Sequence, residues 1–213
     1  MSIICQNLTF SYSKKKSDFR LFENFGFELN KIEIKCLYGG TGSGKTTLFN
    51  LFFGTLEPVK GTILIDTTPL HKEKKLSNKV AFLFQESERQ FVFPSIKDEY
   101  NFLTNQNNKI AIMQNIKELC EIFNVKIENY FNKDIYELSM GELRLLQIIF
   151  SFSAKAEYLI LDEPGDYLEK ILRNKLLDLI KSTHNKGILL LTKYPELYET
   201  VIDESLPINA KHS

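Results

Sequence analysis

Cysteine is scarce: Cys5, Cys36 and Cys120 are the only three in 213 residues. They are odd in number, far apart and form no CxxC pair. That excludes a disulfide framework or a cysteine zinc site and leaves reduced core thiols, the usage of a cytosolic chain. Net charge is missing too, with 27 Lys+Arg against 27 Asp+Glu, so the basic footprint of a nucleic-acid binder is not there. The short clusters Lys14-Lys15-Lys16 and Lys72, Lys74, Lys75 read as solvated loops. No apolar run approaches the roughly 18 residues of a membrane-spanning helix. The start, MSIICQNLTF, lacks the basic and then apolar pattern of a secretory signal. Any link to a membrane is therefore expected through a partner. Repeats, low-complexity tracts and heptads are absent as well.

What is present is ordinary for a globular chain: 43% hydrophobic and 25% charged residues, which excludes disorder, collagen and coiled coil. The length predicts one domain with room for an inserted subdomain. A chain of this size buries on the order of 70% of its unfolded surface and needs no staple.

Residues 3–10 and 25–38 are rich in β-branched and aromatic residues and read as strands, with Asn30-Lys31 as a turn. A glycine-rich segment then opens a helix from Lys45 to about Leu56, and Gly54, Pro58 and Gly61 punctuate its exit. GTILID (61–66) and KVAFLF (79–84) read as further strands. From Gln85 to Ala154 the texture becomes helical, most clearly over 109–123 and 139–153. The second of these is apolar on most faces and so is expected to be buried. YLILDE (158–163) and GILLLT (187–192) are buried-strand runs. Between them, Leu168, Ile171, Leu172, Leu176, Leu179 and Ile180 share a helical face. ESLPI reads as a last strand. Alternating buried strands and helices predict an α/β fold with a parallel sheet, and 85–154 reads as a helical insertion in it.

Gly39-Gly40-Thr41-Gly42-Ser43-Gly44-Lys45-Thr46 matches G-x-x-x-x-G-K-[ST], with a strand before it and a helix after. Glycines let such a loop turn its N–H groups inward, and the following helix presents its positive end to an anion. Lys45 can reach the β- and γ-phosphates, and Thr46 can give a hydroxyl to Mg²⁺. Small-molecule kinases, GTPases, helicases and transport ATPases all remain open at that point. Leu159-Ile160-Leu161-Asp162-Glu163 narrows them: an apolar strand ends in two carboxylates. Asp162 suits Mg²⁺, and Glu163 suits orienting or deprotonating an attacking water.

Together with Leu138-Ser139-Met140-Gly141-Glu142, these residues resemble the ATP-binding subunits of ABC transporters. The third segment is similar to that family's LSGGQ signature and stands in the family's order. The resemblance implies a P-loop ATPase core with an N-terminal antiparallel β portion and an inserted helical subdomain: 1–84 and 155–213 as core, 85–154 as insertion. It implies ATP and Mg²⁺ as ligands. Tyr12 would stack on adenine, Gly39 to Thr47 would cradle the phosphates, and Gln85 would contact Mg²⁺ or water. Ser139, Gly141 and Glu142 would close over a nucleotide held by a second ATPase subunit. A transmembrane subunit at the cytoplasmic face would be the other partner, docked near Gln85 and the Phe91 and Phe93 segment. FQESERQFVFPSIKDEYNF (84–102) aligns without a gap to a pattern typical of the energy-coupling-factor and cobalt-type subgroup, keeping Gln85, Gln90, Pro94 and Phe102.

Several positions depart from the family. Lys193 follows the last core strand where a histidine is usual. Glu169 stands for Asp in the following loop, Met140 replaces the first signature glycine, and Arg144 is one place early. Lysine can pair with a phosphate but cannot accept a hydrogen bond. Three readings stay open: a transport ATPase, an ATP-binding gating subunit with a poorly hydrolysing site in an asymmetric pair, and a non-transport ABC ATPase. Little chain follows the last strand, so no C-terminal regulatory domain is expected.

Overall fold

The computed structural model describes residues 1–12, 20–70, 79–105 and 109–208. The basic clusters around Lys15 and Lys74 lie outside the described residues. Among the described residues, nine strands and five α-helices follow one another as β1 (Ser2–Phe10), β2 (Phe22–Asn30), β3 (Ile34–Tyr38), α1 (Lys45–Phe53), β4 (Lys60–Ile65), β5 (Thr68–Pro69), β6 (Val80–Leu83), α2 (Ile96–Thr104), α3 (Lys109–Phe123), α4 (Met140–Ser153), β7 (Tyr158–Asp162), α5 (Lys170–Ser182), β8 (Gly187–Thr192) and β9 (Glu204–Pro207). No helix among the described residues is long and apolar enough to cross a membrane.

The strands form two sheets. One runs β2-β1-β4-β5 and is antiparallel; the other runs β6-β7-β8-β3-β9 and is parallel. Every residue of β7 and β8 is buried, which is why both read as unbroken apolar runs rather than alternating ones. Alternation of side chains across the sheet divides the core in two. Cys36, Leu159, Leu161, Ile188 and Leu190 face α3, α4 and α5. Leu37, Ile160, Leu189 and Leu191 face α1 and the antiparallel sheet. The three cysteines are buried and free, and burial pushes the Cys5 and Cys36 thiols up to about 12.

Most strand ends shift by one to three residues from expectation, and two helix boundaries differ for a clear physical reason. Helix α1 stops at Phe53, not Leu56, because Gly54 takes φ 84° and its N–H caps the Asn50 carbonyl. Ile171 is 70% exposed. Helix α5 begins only at Lys170, and its buried residues are Leu176, Leu179 and Ile180. Leu168 is buried in the loop ahead of it, so counting the face from Leu168 placed Ile171 wrongly.

Candidate active site

Strands β6, β7, β8 and β3 are consecutive neighbours, so their carboxyl ends lie side by side, where parallel sheets bind ligands. The four ends lead into Gln85, Asp162-Glu163, Thr192-Lys193 and the Gly39 loop. Residues distant in sequence thus meet in a cleft of about 350 Å³ lined by Tyr12, Leu21, Thr41 to Thr47, Gln85, Glu163 and Lys193.

The phosphate loop is shaped by glycine. Gly44 sits at φ 96°, and a Cβ there would lie 2.7 Å from the Phe22 ring. Only glycine fits both the left-handed backbone and the crowding. Within the loop Lys45 donates to the carbonyls of Gly39 (2.6 Å) and Gly40 (3.1 Å). Its ammonium is 3.8 Å from Glu163 Oε1. The Thr46 side is exposed, while Thr47 is buried and shares a 2.8 Å hydrogen bond with the Tyr12 hydroxyl. Tyr12 packs edge-on against Phe10 and is otherwise 71% exposed, so a ring face stands at the cleft rim.

Glu163 is nearly fully buried. Thr192 Oγ1 donates to its Oε2 at 2.8 Å and the Lys193 N–H to its Oε1 at 3.0 Å. Its own backbone is at φ 46°, an uncommon conformation for a non-glycine residue. Asp162 is also buried. Burial, and then the neighbouring Glu163 charge, raise its carboxyl to about 7 against the pull of Lys45 and Arg144. Its Oδ1 has no hydrogen-bond partner among the described residues. An orphaned buried carboxylate oxygen at the end of β7 and an exposed threonine hydroxyl at the start of α1 are hard oxygen donors, of the kind that suits Mg²⁺. Lys193 lines the cleft with its ammonium 5.1 Å from the Tyr194 ring centre, so it does not simply trail into solvent.

The signature segment lies elsewhere. No residue of 138–142 lines the cleft. Ser139 instead N-caps α4 through a reciprocal box: Glu142 N–H donates to Ser139 Oγ, and Ser139 N–H donates to Glu142 Oε2 at 2.9 Å. That backbone bond is the main cause of a lowered Glu142 carboxyl pKa. Met140 meets Gln85 and Tyr167 around a separate cavity of about 500 Å³.

Three residues were not legible as site residues. Thr192 holds Glu163 but reads in sequence as the last apolar-strand position. Arg144 reads only as the family's arginine one place early, and it is completely buried and bonded to the ends of β6 and β7. Gln147 continues its network. A signal existed: Arg144, Gln147 and Ser151 recur at helical spacing within an otherwise apolar run. Phe91, expected at a docking surface, packs towards the core against Phe150. Phe93 instead pairs with Phe102, which is 42% exposed.

The family pattern for the ABC transporter matches residues 22–166, well over half the chain. This chain belongs to the ABC transporter family. It is an ATP-binding subunit of that class, and its members are ATPases. It is 32% identical over 187 residues to energy-coupling factor transporter ATP-binding protein EcfA1 of Fusobacterium nucleatum, covering 85% of this chain and 69% of that protein. It is 33% identical to EcfA2 of Clostridium tetani, covering 87% and 67%. The lipoprotein-releasing system ATP-binding protein LolD of Buchnera aphidicola is 32% identical, covering 83% and 79%. Among solved structures, an ATP-binding subunit of an ABC transporter superposes with a TM-score of 0.85 at 19% identity, covering 97% of this chain and 85% of that one. The dimeric MJ0796 cassette superposes at 0.80 with 18% identity, covering 97% and 94%. At these identities the structures bear on the fold, and they agree with the α/β core described above.

Proposed function

We propose that this chain pairs with a second ATPase subunit around two ATP molecules and energises a membrane transporter of the energy-coupling-factor type. Its place would be the cytoplasmic face of the membrane, held there by a transmembrane partner and not by its own chain. One observation carries the reading. The cleft brings together the phosphate loop, Gln85, Glu163 and Lys193 but none of the signature residues, of which Ser139 is exposed, Gly141 and Glu142 are half-buried, and Ser139 and Glu142 cap each other. A second chain supplying Ser139, Gly141 and the N–H groups at the start of α4 would complete it.

In this reading Tyr12 packs on adenine, and Gly39 to Thr47 wrap the phosphates. Lys45 moves from its carbonyl contacts to the β- and γ-phosphates. Thr46, Asp162 and Gln85 would hold Mg²⁺, whose charge offsets that of the phosphate oxygens. Glu163 accepts the proton of the water that Gln85 orients, and its carboxylate is already fixed by Thr192 and Lys193. The Lys193 ammonium, resting on Tyr194, pairs with the γ-phosphate where the family uses histidine. Residues 85–154 act as the helical subdomain, and exposed Val92 with the Phe93–Phe102 pair offers apolar surface to the membrane partner. The subgroup assignment is supported by the 84–102 segment and by the EcfA relatives.

A second reading has its own support. The Glu163 carboxylate is engaged by Thr192 and by the Lys193 N–H, and Lys193 cannot accept a proton in the histidine's place. These features suit a gating subunit that binds ATP and turns it over poorly. Steady-state Mg²⁺-ATP hydrolysis by wild type, Glu163→Gln and Lys193→His separates the two. Turnover that Glu163→Gln abolishes establishes the ATPase role for this site. No turnover in wild type, with ATP bound and with rescue by Lys193→His, establishes the gating role.

A further inference from the structure

We infer that Arg144 is a positioning residue for ATP hydrolysis: one guanidinium fixes both the backbone that aims Gln85 and the backbone that aims Glu163. The inference rests on the reading above that these two side chains act on the nucleotide. Arg144 lies on the second turn of α4 and is completely buried. No ion pair joins it to any described carboxylate. Its donors go to uncharged oxygens instead. Nη1 donates to the Phe84 carbonyl and to Gln147 Oε1 (3.1 Å). Nη2 donates to the carbonyls of Asp162 (2.8 Å) and Glu163. Nε donates to the Pro164 carbonyl (3.4 Å).

A buried cation with no direct ion pair, its nearby carboxylates Asp162 and Asp166 acting only through space, is a costly way to fill a core; an apolar residue of similar volume is often neutral or stabilising there. What the arginine provides that no apolar residue can is a rigid planar fork reaching two strand ends at once. Phe84 directly precedes Gln85 at the end of β6. Asp162 ends β7, the adjacent strand, and Glu163 directly follows it. Glu163 holds a left-handed backbone, φ 46°, of the kind that persists only where its surroundings fix it. Arg144 grips its carbonyl, while Thr192 and Lys193 grip its carboxylate. Burial lowers the Arg144 pKa only to about 10, so the fork remains charged at neutral pH.

The neighbouring polar residues extend the hold on the Gln85 side. Gln147 Nε2 donates to the Ser87 carbonyl (3.1 Å) and to Gln90 Oε1 (3.2 Å). Gln90 Oε1 also accepts from the Phe84 N–H (3.2 Å). Ser151 Oγ donates to the Phe82 carbonyl (2.9 Å). Arg144, Gln147 and Ser151 thus form a polar stripe down α4 that stitches the 82–90 segment to the helix. Only Arg144 continues across to β7.

The test uses the full chain with Arg144→Lys and Arg144→Met. Lysine keeps the charge but places its donors on one atom, which cannot span the Phe84 and Glu163 carbonyls. Arg144→Lys is expected to lower kcat roughly 10- to 100-fold, the range of a catalytic group misplaced by about an ångström. Its KM and ATP Kd should stay within about twofold of wild type, as uniform binding is untouched. Hydrogen exchange at 85–90 and 163–168 is read in the same samples and is expected to quicken in both segments. Wild-type kcat in Arg144→Lys, ATP binding that falls in step with kcat, or unchanged exchange overturns the inference. So does failure of both variants to fold, which would make Arg144 a stability residue. If wild type shows no turnover, the hydrolysis reading fails on its own, and exchange at the two segments still decides the role of Arg144.

Discussion

At the phosphate-loop cleft the working carboxylate is buried and approached from three sides, by Thr192, the Lys193 N–H and Lys45. At the start of α4 the corresponding polar groups, exposed Ser139 and half-buried Glu142, bond mainly to each other. The first arrangement needs the ends of three neighbouring strands, β7, β8 and β3, in register and cannot exist in a short peptide. The second needs one helical turn. The contrast shows which groups the fold prepares for this chain's own nucleotide and which stand ready without it. Preorganised polar groups in a dry site do the most for a transition state, while a capping box keeps a helix start intact whether or not an anion arrives.

Lys45→Ala tests the prepared side most severely. Charge-assisted hydrogen bonds are worth about 1.5–3 kcal/mol, so ATP affinity should fall roughly 10- to 100-fold in equilibrium binding. Retained affinity would mean that the loop N–H groups alone hold the phosphates. Asp162→Asn sharpens the same side through pH. The folded pKa, near 7, is above the usual carboxylate value, so the fold keeps a proton that the unfolded chain releases. That contribution to stability is fully present below the unfolded pKa of about 3.9 and is lost as pH rises through 7. In metal-free buffer the Asn variant should therefore melt several degrees higher than wild type at pH 8, with the gap narrowing towards pH 5. A gap independent of pH would show that the carboxyl is not titrating against its burial. Gly44→Ala strikes the loop itself. The variant needs φ near 96° and would crowd Phe22, so a loss of about 1–3 kcal/mol is expected in denaturant unfolding.

Much of this was written in local pattern. β7 and β8 are unbroken apolar runs bounded by polar residues, and the Gly39 loop announces its own chemistry. Glu163 stands out because an apolar strand ends in two carboxylates, and Gln85 and Lys193 through the family resemblance; the cleft brings the three together because adjacent parallel strands deliver their ends to one edge. The destinations of hydrogen bonds were not legible. Nothing in the type of Thr192 says that its hydroxyl turns to a carboxylate on the next strand. Arg144 looked like an arginine out of place because its partners are backbone carbonyls, which carry no residue signature. Ile171 went wrong for a simpler cause: the helix starts after the loop that was counted as its first turn.

The smallest expected effect belongs to the exposed side. Ser139→Ala removes the Oγ that caps the Glu142 N–H and leaves Glu142 with only the Ser139 N–H from its box. Loss of a serine N-cap costs about 1 kcal/mol, and thermal unfolding should register only that. ATP binding to the isolated chain should be unchanged, because Ser139 does not line the cleft that holds this chain's phosphates. Hydrolysis that depends on pairing should fall further than stability does, since the residue lost is the one presented to the second subunit. If ATP binding by the lone chain weakened in parallel with hydrolysis, Ser139 would belong to the chain's own site, and the division between a prepared half and a presented half would be wrong.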